Sequence, residues 1–134
     1  MNFTMTIPVD QIRQIHGELK DIRHDLHAHP ELGFEETRTS EIVAVKLASW
    51  GIEVHRGLAR TGVVGVVRGR RSTSGRSIGL RADMDCLPIH ETGNVPYRSR
   101  HDGRMHACGH DGHTTMLLGA ARYLAKTQNF DGTA

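Results

Sequence analysis

Cysteine is scarce in this 134-residue sequence, where Cys86 and Cys108 are the only two. A single pair cannot staple a small secreted fold, and the opening run MNFTMTIPVDQIRQ lacks both a basic and an apolar signal region, so the expected setting is reducing and cytoplasmic. Long apolar runs are missing too. The best, GVVGVV at 62–67, falls far short of the roughly 20 residues that cross a bilayer, so no membrane partner is expected. Charge of one sign is also lacking: 17 Lys and Arg face 15 Asp and Glu, which argues neither for nucleic acid nor for an anionic surface. Internal repeats and low-complexity tracts are absent. What is present is a globular composition, 37% hydrophobic with 15 glycines, enough for one domain at most and unlike a disordered chain. Ten histidines stand against one Trp, two Tyr and three Phe, and four of the ten crowd into 101–113. Such density points to metal or acid/base chemistry.

Periodicity divides the chain. Val9, Ile12, Ile15, Leu19, Ile22 and Leu26 step by three or four, which predicts a helix of about five turns from Pro8 to just before His29-Pro30. A second helix is capped by Thr39 or Ser40, carries Ile42, Val43, Leu47 and Trp50 on its apolar face, and ends at Gly51 in the left-handed conformation. Strands are then expected at 52–58, 62–68 and 77–84, with the basic stretch 69–76 as a solvated hairpin tip rather than a phosphate loop. Residues 87–107 have no period, and a third helix runs from Asp111 to about Lys126. Strands 62–68 and 77–84 should be neighbours in one sheet, with the helices of 10–28 and 112–126 packed on it. Residues 129–134 read as a turn into another strand, so the sheet is expected to keep an open face and edge.

Three segments could carry chemistry. In His106-Ala107-Cys108-Gly109-His110-Asp111-Gly112-His113, thiolate and imidazole are zinc-type ligands, and a turn at Gly109 would let Cys108 and His110 converge ahead of the third helix. The plain alternative makes Asp111 an N-cap, Cys108 a small buried hydrophobe and the histidines surface residues. In Arg81-Ala82-Asp83-Met84-Asp85, two acids alternate onto one face at a strand end, where they can bind metal, orient a ligating histidine, or simply open a solvated turn. His24, His27 and His29, followed by Glu31, Glu35 and Glu36, have a bland reading as histidines near a helix C-terminus. Cys86 and His90 read as a packed small residue and a surface histidine.

Taken together, H-x-H-P-E-L-G-F-E-E, R-A-D-M-D-x-L-P-I and M-H-A-C-G-H-D-G-H resemble the dimetal amidohydrolases related to carboxypeptidase G and aminoacylase, and more closely the branch of hippurate hydrolases, N-acyl-amino-acid hydrolases and auxin-conjugate hydrolases. The resemblance covers about Ile12 to Thr133. It implies an α/β fold, a mixed sheet flanked by helices, with residues 1–134 as the N-terminal, incomplete part of a catalytic domain whose remainder and dimerisation domain lie elsewhere. It implies that Cys108 and His110 are metal ligands, the cysteine bridging two ions. Asp85 is the implied catalytic-site residue that orients a ligand, and Asp83 replaces a histidine ligand of more distant relatives. Cys86 stands where the branch has alanine.

The implied reaction is metal-assisted hydrolysis of the amide bond of an N-acyl amino acid or peptide, with two divalent ions, manganese or zinc, in a homodimeric full-length enzyme. A glutamate base and three further ligands of the family match no residue here, so 1–134 alone is expected to be inactive. The rival readings are a truncated interaction fragment and a metal-binding module. Nucleic-acid binding would rest only on Arg68, Arg70, Arg71 and Arg76 and is not expected.

Overall fold

The computed structural model describes residues 8–134. The first helix, α1, spans Val9–Ala28 and buries Leu19, Ile22 and Leu26 from the expected apolar stripe. It ends two residues before Pro30, as the restriction on a pre-proline residue demands. The loop that follows turns the chain into α2, Thr37–Ser49, which starts two residues ahead of the expected caps. No side chain at its first position caps it. Instead Glu31 reaches across the loop, accepting the backbone N–H of Arg38 at 2.9 Å and of Thr39 at 2.7 Å, so a remote carboxylate serves the orphan donors and the positive end of the dipole. At the other end Gly51 adopts φ +74°, the left-handed conformation expected of it.

Next comes an antiparallel hairpin of β1, Glu53–Leu58, and β2, Gly62–Val66. Its tip places Ala59 and Arg60 at φ 47° and 82°. The segment 77–84 does not form the expected strand, and β2 pairs with β1 rather than with it. Only Ser77 is bridged, in parallel fashion, to Thr133, and Thr133 is also bridged antiparallel to Arg68. Residues 133–134 thus stand between the two stretches that sequence periodicity made neighbours. A strand exists only where a partner supplies its ladder, and from Gly79 to Asp85 none is present among the described residues. The basic stretch between them is exposed as expected, tied down by Asp131, which accepts from the Thr73 hydroxyl at 2.6 Å and the Ser74 N–H at 3.1 Å.

The last helix, α3, spans His110–Thr127. It packs chiefly on α1 rather than on the hairpin, while α2 touches α3 and both strands. α1 and α3 approach closely at Gly119, where a Cβ would lie 2.9 Å from Leu19 Cδ1 and the leucine would have to shift. Leu19, Ile22 and Leu26 of α1, Val43 and Leu47 of α2, Ile52, Val67 and Leu118 make one core. The architecture is α/β, with helices against a small sheet.

Candidate metal centre

Two chain segments meet at the start of α3. Gly109 supplies the turn with φ +79°, a conformation a side-chain-bearing residue would resist, and it places His110 as the first helical residue. From the 77–85 segment Asp85 meets the ring: His110 Nδ1 donates to the Asp85 carboxylate at 2.9 Å and lies 3.0 Å from the Asp85 carbonyl oxygen. With the proton fixed on Nδ1 by that pair, Nε2 presents its lone pair, which is how an orienting carboxylate prepares a ligating imidazole. Thr114, one turn into α3, donates its hydroxyl to the Asp83 carbonyl oxygen at 3.0 Å and pins the same two segments together.

Beside His110 are Asp83 and His113, and one ligand atom from each of these three residues lies within 4.8 Å of the others. His113 follows His110 by three residues, so both rings leave the same helix face, with centroids 5.3 Å apart. Asp83 receives the Arg81 guanidinium at 2.7 and 3.0 Å, and that hydrogen bond and charge hold its carboxyl below the usual range. Two imidazoles and a carboxylate suit a borderline divalent ion and leave coordination positions open. Cys108 is exposed on the loop just ahead and stands outside this triad. Sequence reasoning singled out Asp83, Asp85 and His110 but gave His113 no role of its own, although the i, i+3 spacing was a usable signal.

Behind the site lies a buried polar cluster that the sequence did not announce. Asp111 is not the N-cap; Gly109 holds that place, and the Asp111 side chain is buried against α1. His27 Nδ1 lies 2.9 Å from the Asp111 carboxylate and His27 Nε2 3.2 Å from that of Glu91, so the ring sits between two acids, with Arg23 3.3 Å from Asp111. Burial pushes both carboxyls up, but their hydrogen bonds more than offset it: both end below their usual values, Glu91 through the Ser99 N–H and His27, Asp111 chiefly through His27 and the Gly112 N–H. His106, 4% exposed, has neither ring nitrogen bonded to protein, and burial lowers its pKa so that the ring stays neutral. His27 is therefore structural, but buried rather than a solvated helix-end residue. Cys86 is buried with its thiol pKa pushed up by desolvation, and His90 is exposed, both as expected.

A carboxylate-anchored histidine beside a second imidazole and a carboxylate, at a helix start in an α/β domain, has the donor set of a metalloprotein site. Residues 79–133 match the family described as Peptidase family M20/M25/M40. The chain is 52% identical over 124 residues to the hippurate hydrolase of Campylobacter jejuni, covering 92% of this chain and 32% of that protein. It is 42% identical to the N-acyl-L-amino acid amidohydrolase of Geobacillus stearothermophilus, covering 90% of this chain and 33% of that one. Among solved structures it resembles the Bacillus subtilis YXEP protein, a dinuclear metal binding peptidase from the M20 family, with TM-score 0.80 and 42% identity over 85% of this chain and 32% of that one. These matches relate the chain to the M20 peptidases and amidohydrolases, and it spans about a third of the length of the curated relatives it matches.

Proposed function

We propose that this chain contributes part of the metal site of an amidohydrolase that cleaves the amide bond of N-acyl amino acids. The observation that carries the reading is the His110 ring, turned by Asp85 so that Nε2 faces outward beside Asp83 and His113. His110, His113 and Asp83 would hold a divalent ion, with Cys108 added by the resemblance as a bridging ligand. A divalent ion so bound polarises an amide carbonyl and acidifies a coordinated water. The chain's own contribution is positional. Asp85 keeps the Nδ1 proton in place, Thr114 ties α3 to the acidic segment, and Arg81 holds the Asp83 carboxyl below its usual range.

The same reading brings a second ion, manganese or zinc as the metal, a small N-acyl amino acid or peptide as substrate, and a cytoplasmic homodimer. None of the described helices is long and apolar enough to cross a membrane. The rival, an inactive fragment serving as a metal-binding or interaction module, draws support from the small number of ligands and from the uncovered 77–84 segment.

The test compares the chain alone with a chimera in which it replaces the matching part of the Campylobacter jejuni hippurate hydrolase. With manganese or zinc added, the chain alone should bind metal yet leave hippurate intact, while the chimera should hydrolyse it and lose most turnover on Cys108→Ala. An Asp85→Ala change should weaken metal binding by about 10- to 100-fold. A metal-loaded but inactive chimera would overturn the hydrolase reading, and turnover by the chain alone would overturn the view that it holds only part of a site.

A further inference from the structure

Arg81 meets Asp83 in an unequal way. Its Nε–H and one terminal N–H, on Nη2, both donate to the same carboxylate oxygen, Oδ1, at 3.0 and 2.7 Å. The common fork between a guanidinium and a carboxylate puts one N–H on each oxygen. Here both converge on one, and Oδ2 has no hydrogen-bond partner among the described residues. The two oxygens of Asp83 are therefore not equivalent toward an ion.

Asp83 shares its donor group with His110 and His113. An oxygen that already accepts two charge-assisted hydrogen bonds has its lone pairs turned to the guanidinium, so Oδ2 is the oxygen left for an ion. Ions differ in how much that restriction costs them. Zinc is satisfied by four donors, takes imidazole nitrogen readily and needs only one oxygen of a carboxylate. Manganese prefers oxygen donors and a larger number of them, and so loses more when a carboxylate can offer one oxygen instead of two. The positive charge of Arg81 opposes any divalent ion alike. Charge by itself lowers affinity without choosing, and the choice comes from the occupied oxygen. Arg81 has no part in the core, since its side chain is 88% exposed, and an exposed ion pair of this kind contributes little to stability. Its effect on an ion can thus be separated from folding.

We infer that Arg81 is a positioning residue that selects the ion: by holding Oδ1 of Asp83 it restricts that carboxylate to one-oxygen coordination and favours zinc over manganese at Asp83, His110 and His113. The inference rests on the metal-site reading proposed above and narrows it from two candidate metals to one.

The experiment is titration of the purified chain with zinc or with manganese, in the parent, Arg81→Gln, Asp83→Asn and the double variant. Competition with a chromophoric chelator reads zinc affinity, and the paramagnetic resonance of the free ion reads manganese. Arg81→Gln should tighten both ions but manganese more, so that the ratio of zinc to manganese affinity falls by about tenfold or more. With Asp83→Asn already in place, the same change should leave the ratio within about twofold, because no carboxylate oxygen remains to be released. A His110→Ala variant separates the two claims. Zinc binding that survives this change undiminished would overturn the metal-site reading and the inference with it. Zinc binding that depends on His110, combined with an unchanged ratio in Arg81→Gln, would overturn the inference alone. So would a fall in the ratio that is as large with Asp83→Asn in place, since Arg81 would then act by charge and not through the carboxylate.

Discussion

The two flanks of the 110–114 junction are built on opposite terms. On the α1 side everything is closed: Leu26 is fully buried, Asp111 is held by His27 and Arg23, and Glu91 takes the Ser99 N–H as well as His27. On the other side the backbone donors of 79–85 are unpaired, and Ile78 and Leu80 lie open. The metal donors stand on the seam, His110 and His113 from the closed flank and Asp83 from the open one. Stability and site geometry therefore draw on different parts of the molecule, and mutations can separate them.

The largest separation should come from the buried charges. Asp111→Ala leaves His27 and Arg23 facing an empty buried position and should cost about 3–5 kcal/mol in urea unfolding. Asp83→Ala, on the open flank, should change stability by no more than about 0.5 kcal/mol while weakening metal binding. Equal losses at the two positions would mean that the flanks fold as one unit. Apolar truncation sharpens the contrast next: Leu26→Ala should cost about 2–5 kcal/mol by transfer and cavity terms, and Leu80→Ala about 0.5 or less.

The smallest effect is on pH dependence. Because the folded protein holds the Glu91 carboxyl below its ordinary value of 4.5, its contribution to stability is fully present above that pH and is lost as pH falls through the lower folded value. Glu91→Gln should flatten the acid limb of stability below about pH 4.5 and leave its shape near pH 7 unchanged. An unchanged acid limb, followed by chemical denaturation across pH, would count against the His27 and Ser99 contacts.

How far the sequence spoke tracks this same division. The helices were legible to within a few residues, because the three- and four-residue spacing in α1 and the positive-φ position at Gly51 are local signals. Glu31 as the cap of α2 was not, since its eight-residue reach to Thr39 follows no capping pattern. The 77–84 segment had the composition of a strand but lacked a partner, and pairing is a property of two segments. The pair Asp85 and His110 was anticipated through motif resemblance. His27 and Asp111 were not, because 84 residues separate them and only packing of α1 on α3 brings them together.

The hydrogen bond from His110 to Asp85 joins the start of a helix to a stretch of backbone, 79–85, whose N–H groups have no partner among the described residues. That makes it a point of thermodynamic reciprocity. Whatever fixes the conformation of 79–85 also narrows the orientations open to the imidazole, and a ligand that prefers one of those orientations favours that conformation by the same factor. An ion at His110 and order in that backbone are two readings of one equilibrium.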